Sequence, residues 1–166
     1  MAEFDPEIVA RVEEISAQAR ESRLMLATAE SCTGGLIAAS ITSLAGSSTV
    51  FDRGVVTYSN EAKNELLGVP TDILDHHGAV SAETADAMVT GLFACSRGDL
   101  GVSVTGVAGP GGGSAEKPVG LVYIGHGQRH GAVTASRYIF EGDREAIRRQ
   151  TVLEALSLFH KMLSGA

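Results

Sequence analysis

The sequence predicts an α/β protein, a three-layer α/β/α sandwich around a mixed sheet of roughly five strands. Short apolar runs, typical of buried strands, alternate with segments that repeat apolar residues every three or four positions, as amphipathic helices do. Glycine, proline and small polar residues separate the two kinds of segment. The last three predicted strands follow one another without long helices between them, so part of the sheet is expected to be antiparallel.

The predicted elements follow the order α β α β α α β β β α. The first helix begins with an N-cap and proline pair and carries an apolar stripe at Ile8, Val12, Ile15 and Ala19. The predicted strands cover residues 24–29, 50–59, 100–108, 119–126 and 132–140. The helices are expected to begin at Asp5, after Gly35, at Asn60, at Ser81 and at Asp143. The segment that contains His76 and His77 is predicted to be a loop.

Length and composition limit the classes of protein. A chain of 166 residues predicts one domain over residues 1–166. Thirteen basic and 20 acidic side chains give a net charge of −7, which argues against nucleic acid as a partner. The chain has no long apolar run and no signal-like start, and its two cysteines, Cys32 and Cys95, form no close pair. A reduced, cytoplasmic protein with no membrane partner is therefore expected.

Ser31 lies in the string Glu30–Gly35, ESCTGG, where a predicted strand turns into a helix. Unpaired N–H groups at a helix start carry partial positive charge and can stabilise a developing oxyanion beside a nucleophilic serine. The alternative is that Ser31 only caps the helix. Cys32 is the rival nucleophile, or else a small buried apolar residue. Neighbours on an extended chain point opposite ways, so Ser31 and Cys32 are not expected to share a site.

The string GVVTYSNEAK at 54–63 places the phenol of Tyr58 at a strand end and Lys63 in the first turn of the next helix. A cation beside a helix N-terminus is unfavourable, which would lower the pKa of a lysine base. A serine–lysine pair is one known way to activate a serine without histidine. The alternative is a solvated lysine.

Two further strings could contact a ligand. Residues 105–113, TGVAGPGGG, match neither a Walker A loop nor a dinucleotide-binding fingerprint, and form either a backbone loop at a ligand or a flexible hairpin connection. Arg148 and Arg149 could bind a phosphate or pair with Glu145 on an exposed helix face. The histidines His76, His77, His126 and His130 are expected at the surface and have no zinc-site spacing, so no metal or other cofactor is predicted.

Six strings, in order, resemble the C-terminal domain family of the competence/damage-inducible protein CinA. The resemblance spans about residues 5–163. The strings are TAESCTGG at 28–35, GVVTYSNEAK at 54–63, HGAVS at 77–81, SVTGVAGPGGG at 103–113, EKPVGLVYIG at 116–125 and GDREAIRRQ at 142–150.

The resemblance implies hydrolysis of the carboxamide of nicotinamide mononucleotide to nicotinate mononucleotide and ammonia, in pyridine nucleotide salvage. It implies catalytic roles for Ser31, Lys63 and Tyr58, without a cofactor, and a homodimer or higher oligomer. The residues expected to bind substrate are Thr33, Gly34, Gly35, Asn60, Thr105, Gly106, Gly109 and either Arg148 or Arg149.

Two other functions remain open from the sequence. One is a non-catalytic nucleotide-binding protein linked to competence or DNA damage, with Ser31 only a cap. The other is a phosphatase-like hydrolase, which is weakened by the lack of a visible metal cluster. Replacing Ser31 separates an amidase from a binding protein, because it removes chemistry in the first case and only affinity or stability in the second.

Overall fold

The structure is a computed structural model that describes residues 4–165. The two ends of the predicted domain, residues 1–3 and 166, lie outside the described residues. The helices are Pro6–Ser22 (α1), Leu36–Thr42 (α2), Asn60–Leu67 (α3), Thr71–His77 (α4), Ala82–Cys95 (α5) and Arg144–Ser164 (α6), with a 3₁₀ turn at Ser47–Thr49. The strands are Leu26–Glu30 (β1), Phe51–Val56 (β2), Leu100–Gly106 (β3), Leu121–Gln128 (β4) and Val133–Ile139 (β5).

The strands form one mixed sheet in the order β2-β1-β3-β4-β5. β1 pairs in parallel with both β2 and β3, while β4 runs antiparallel to its neighbours β3 and β5. The predicted α/β class and the mixed five-stranded sheet are therefore confirmed. β1 is buried along its whole length, as expected of a central strand covered on both faces.

Two apolar cores lie on opposite faces of the sheet. The larger core joins α1, α2 and α6 to β3 and β4, and the smaller one joins α3, α4 and α5 to β1. The predicted caps Asp5, Ser81 and Asp143 each accept a backbone N–H at the start of a helix. These caps satisfy donors that the first helical turn leaves unpaired.

The structure corrects three local predictions. Residues 71–77 form α4 and not a loop. This short helix buries the side chain of Leu74, and one buried residue leaves no apolar stripe in the sequence. Ser59, not Asn60, caps α3, because its hydroxyl accepts the N–H of Ala62. β2 ends at Val56, so Tyr58 follows the strand instead of lying in it.

The carboxyl ends of β1, β2 and β3 meet at one edge of the sheet, because the three strands are parallel. β5 also points toward this edge, and α6 therefore begins there. Ligand sites in open α/β sheets lie at such an edge. Among residues 4–165, no helix has both the length and the apolar character needed to cross a membrane.

Candidate active site

Ser31 and Lys63 meet at the carboxyl edge of the sheet. Ser31 follows the last residue of β1, and its N–H continues the sheet by donating to the carbonyl of Val104. Lys63 Nζ lies 3.0 Å from Ser31 Oγ and 2.9 Å from the carbonyl oxygen of Thr57. A nucleophile and a base within hydrogen-bond distance form the minimum arrangement for an activated serine.

Lys63 is 1% exposed, although lysine is rarely buried without a charged partner. On α3 it lies four residues before the buried Leu67, so both occupy the face that packs inward. No carboxylate forms an ion pair with Lys63 among residues 4–165. Burial lowers the pKa of the Lys63 ammonium, and this burial, rather than the helix N-terminus, is the main cause.

The turn between β1 and α2 depends on Gly34 and Gly35. Their φ angles of 60° and 96° lie in the left-handed region, which a side chain disfavours. Gly35 occupies the cap position of α2 without a side-chain cap, so Ser31 does not cap this helix. The serine hydroxyl is thereby left for Lys63.

Glu30 is the capping group at this helix and was not among the predicted site residues. Its carboxylate accepts the N–H groups of Gly35, Ile37 and Ala38 and the hydroxyl of Thr33. A sequence feature that could have indicated this role is the acidic residue at the end of the otherwise uncharged strand LATAE, shortly before Gly34 and Gly35. Thr33 is thus completely buried, and its hydroxyl is used by Glu30.

A cleft of about 230 Å³ opens above Ser31 and Lys63. It is lined by Ser31, Cys32, Tyr58, Lys63, Ala79, Val80, Thr105, Gly106, Ala108 and Arg144. We call this cavity the active-site cleft. Among residues 4–165, no three His, Cys, Asp or Glu side chains group closely enough to hold a metal ion.

Cys32 lies in the wall of the active-site cleft beside Ser31. The expectation that the two residues would not share a site is wrong, because they lie in a turn and not on an extended strand. Burial raises the pKa of the Cys32 thiol to about 12. A thiol that stays protonated is a poor nucleophile, so the serine is the better candidate.

Tyr58 and Arg144 form the outer wall of the active-site cleft. Tyr58 is 62% exposed, and its hydroxyl accepts a hydrogen bond of 3.0 Å from Arg144 Nη2. Arg144 Nη1 donates to the carbonyl of Gly109 at 2.8 Å. Arg144 was not among the predicted site residues; its signal was its position directly after the helix cap Asp143. The lysine amine contacts Ser31 and Thr57, not the Tyr58 phenol.

The glycine-rich segment joins the antiparallel strands β3 and β4, and its beginning lines the cleft. The Thr105 hydroxyl donates to the carbonyl of Ala79 at 2.6 Å and so holds the cleft-lining segment Ala79–Val80. Gly106 lines the cleft beside it, and Gly109 offers its carbonyl to Arg144. The string HGAVS, which contributes Ala79 and Val80, had no predicted role of its own.

Of the nine predicted binding residues, two line the active-site cleft, Thr105 and Gly106, and seven do not: Thr33, Gly34, Gly35, Asn60, Gly109, Arg148 and Arg149. Arg148 Nη2 donates to the carbonyl of Thr33 at 2.7 Å, and so supports the serine turn from α6. Arg149 pairs with Asp5 and Glu7 at the start of α1. Asn60 is exposed and lines a separate groove between α3 and α4.

Three of the four histidines that were expected at the surface are exposed. His76, His77 and His130 are exposed. His126 is half-buried on β4, and burial lowers the pKa of its imidazole. None of these four histidines lines the active-site cleft.

The chain matches the family described as the CinA C-terminal domain over residues 9–163. This protein belongs to that family. A protein from Enterobacter agglomerans named nicotinamide-nucleotide amidohydrolase PncC is 50% identical over 143 residues, which cover 86% of this chain and 87% of that protein. A CinA-like protein from Geobacter sulfurreducens is 54% identical over 147 residues, or 89% of this chain.

The chain spans about a third of the length of several curated relatives, 35% for the Geobacter protein. Solved structures agree with the fold along nearly the whole chain. The competence/damage inducible protein CihA from Agrobacterium tumefaciens is 47% identical, with a TM-score of 0.94 and 99% of both chains covered. A CinA superfamily protein from Klebsiella pneumoniae is 33% identical, with a TM-score of 0.91 over 96% of this chain and 99% of that one.

Proposed function

We propose that this protein hydrolyses the carboxamide of nicotinamide mononucleotide to nicotinate mononucleotide and ammonia. The observation that carries the proposal is the 3.0 Å contact between Lys63 Nζ and Ser31 Oγ in the active-site cleft. The name of the Enterobacter agglomerans relative supports the substrate, since that protein matches over most of both chains. The resemblance in the sequence motifs points to the same reaction.

In the first step the neutral Lys63 amine takes the proton of the Ser31 hydroxyl while Oγ bonds to the carboxamide carbon. Burial lowers the pKa of Lys63, which shifts its equilibrium toward the neutral amine that a general base requires. The carbonyl oxygen becomes an oxyanion, which must receive hydrogen bonds from fixed donors. In this scheme the Lys63 amine is neutral before the reaction and becomes charged only when it takes the serine proton.

In the second step the carbon–nitrogen bond breaks and ammonia leaves with the proton that Lys63 had taken. Tyr58 stands at the cleft wall with its oxygen accepting from Arg144 and its own O–H free to donate to the departing nitrogen. The product at this stage is a nicotinoyl ester of Ser31. Water, activated by the same amine, hydrolyses the ester and regenerates the serine.

Arg144 is the best candidate for the substrate phosphate. Its guanidinium is exposed at the cleft wall and presents N–H donors on a fixed plane, which suits a phosphate. Arg148 and Arg149 are instead engaged with the Thr33 carbonyl and with acidic groups of α1. Arg144 also donates to Gly109 and Tyr58, but of the three arginines it alone lines the active-site cleft, and we therefore assign phosphate binding to it.

The test is release of ammonia from nicotinamide mononucleotide by the wild type and by Ser31→Ala. We expect turnover to fall by about 10⁴-fold or more in the variant, because the nucleophile is lost. Ser47→Ala is the matched control: Ser47 is 8% exposed against 9% for Ser31 and lies far along the chain in the 3₁₀ turn. It should retain the wild-type rate, and Ser31→Ala should still bind product.

Hydroxylamine distinguishes an acyl-enzyme from direct attack by water. If Ser31 forms the ester, hydroxylamine intercepts it and gives the hydroxamate of the nucleotide in place of part of the acid. Cys32→Ala should keep both products, because the protonated thiol takes no part. No ammonia from the folded wild type, with retained nucleotide binding, would support a binding protein instead.

A further inference from the structure

Glu30 lies directly before Ser31 and is completely buried, at 0% exposure. Hydrogen-bond donors surround its carboxylate, as an acceptor-only group requires. Oε2 accepts from Thr33 Oγ1 at 2.6 Å, from Gly35 N at 3.0 Å and from Ile37 N at 3.1 Å. Oε1 accepts from Ala38 N at 2.8 Å and from Thr28 Oγ1 at 3.4 Å. One side chain thus fastens the whole segment that follows the nucleophile.

The backbone donors of this segment divide into two groups. Six N–H groups have acceptors, those of Ser31, Gly34, Gly35, Leu36, Ile37 and Ala38. Among residues 4–165, no other residue accepts the N–H groups of Cys32 and Thr33, although the Cys32 N–H lies against its own thiol. Cys32 and Thr33 directly follow the nucleophile in the sequence. The position of their N–H groups relative to the substrate carbon bonded to Ser31 Oγ therefore depends on the conformation of this turn.

Arg148 completes the support from the other side of the turn. Its Nη2 donates to the carbonyl of Thr33 at 2.7 Å, while Glu30 accepts from the hydroxyl of the same residue. Thr33 is therefore held by two charged side chains, one from β1 and one from α6. The N–H groups of Cys32 and Thr33 therefore lie in a segment that is fastened on both sides.

We propose that Glu30 is a positioning residue that reserves the N–H groups of Cys32 and Thr33 for the reaction's oxyanion. It does so by consuming the donors at the start of α2 and by fixing Thr33. This inference rests on the proposed amidohydrolase function. It explains why a fully buried carboxylate ends β1 beside a serine that must bind a developing negative charge.

The test compares two ligands that differ in the oxyanion. The nucleotide of pyridine-3-carboxaldehyde can accept Ser31 Oγ at its aldehyde carbon, with the serine proton passing to Lys63, and so forms a tetrahedral hemiacetal oxyanion. Nicotinate mononucleotide binds without that bond. We expect Glu30→Gln to weaken binding of the aldehyde by about 10²-fold or more, as loss of an oxyanion donor does. Binding of nicotinate mononucleotide should stay close to wild type.

Glutamine is informative because it has nearly the size of glutamate but only one acceptor oxygen. Whichever oxygen of Glu30 the amide NH₂ group replaces, it faces at least one backbone N–H, because Oε1 and Oε2 both accept from backbone N–H groups. Two donors cannot pair, so the turn must shift. Thr33→Val is a second variant in case Glu30→Gln does not fold, since it removes only the hydroxyl contact to Oε2. It should weaken aldehyde binding in the same direction and by less.

Ser103→Ala is the matched control for loss of a buried polar contact. Ser103 is 0% exposed on β3, and its hydroxyl donates to the carbonyl of Ala85 on α5 and not to any group of the serine turn. It should leave both affinities unchanged. Equal weakening of both ligands by Glu30→Gln, or no weakening of either, would overturn the positioning role. A wild type that neither releases ammonia nor binds the aldehyde covalently would remove the proposed function itself, and the inference with it.

Discussion

The most unusual residue of this protein is a lysine where a core residue is expected. Lys63 occupies the inward face of α3, and its amine is held between Ser31 Oγ and the Thr57 carbonyl. Because both partners are uncharged, nothing in direct contact compensates the charge of an ammonium ion. Burial then favours the neutral amine and lowers the pKa of Lys63.

The pH dependence of the reaction should report this amine. We expect kcat/KM to rise with pH and to level off above an inflection that lies below the ordinary lysine pKa of about 10.4. Lys63→Arg should lose about 10²–10⁴-fold in rate, because a guanidinium stays protonated and cannot act as the base. A flat profile between neutral and alkaline pH would contradict the assignment of Lys63 as the base.

The stability of the fold should depend on pH through the same group. Folding lowers the pKa of Lys63, so between the lowered value and about 10.4 the unfolded chain binds more protons than the native state. Within that window the free energy of unfolding should rise with pH in the wild type relative to Lys63→Met. Urea unfolding at several pH values measures this difference, and a difference that does not change with pH would exclude the effect.

At the scale of elements, the packing of α3 on α5 places the lysine. Gly91 of α5 faces the end of α3, and a Cβ at this position would overlap the carbonyl oxygen of Leu67. Leu67 is one helical turn beyond Lys63. The absence of a side chain at residue 91 therefore lets α3 approach closely enough to bring its lysine to Ser31.

Gly91→Ala should be destabilising, although alanine at an exposed helical site is better than glycine by about 1 kcal/mol. We expect the free energy of unfolding to fall by about 1–3 kcal/mol and kcat to fall as well, because α3 must move away. Urea unfolding and steady-state kinetics measure both effects. Gly111→Ala is the control, since a Cβ there meets open space; it should change stability by less than about 0.5 kcal/mol. A variant at residue 91 as stable as wild type would refute the close-packing argument.

At the scale of the whole molecule, the sheet topology assembles the active-site cleft from distant parts of the chain. Parallel strands bring Ser31 and the segment before Lys63 to one edge, and β5 delivers the start of α6 with Arg144 to the same edge. The chain as a whole has a net charge of −7, so the cationic side chains at the cleft are a local exception to an acidic protein. The proposed phosphate binding therefore depends on this placement and not on overall charge.

Arg144→Gln should raise KM by about 10–100-fold, as expected for a charged hydrogen-bonding partner of the phosphate, with a smaller change in kcat. Arg149→Gln is the control on the same helix. It loses only the half-exposed pairs with Asp5 and Glu7, so KM should stay unchanged and stability should fall by at most about 1 kcal/mol. Equal KM values for the two variants would move the phosphate away from Arg144.

Much of the fold and part of the candidate site follow from local sequence. Periodicity and turn residues predicted the strands, the mixed sheet and the caps Asp5, Ser81 and Asp143, because these features depend on neighbouring residues. Ser31, Tyr58, Lys63, Thr105 and Gly106 were predicted site residues that the structure places together in the cleft wall. The helix at Thr71–His77 was missed because one buried leucine leaves no periodic pattern.

Local sequence was enough to predict the class of fold and the pairing of a serine turn with a lysine-bearing helix, since strand, turn and helix signals are encoded within a few residues. Which charged groups reach the cleft depends instead on packing between segments that are distant in the sequence. Arg144 was recognised through its contacts with Gly109 and Tyr58, and Arg149 is held at the start of α1, 142 and 144 positions away in sequence. Burial, which lowers the pKa of Lys63 and raises that of Cys32, depends on what packs around a side chain, so a local pattern does not reveal it.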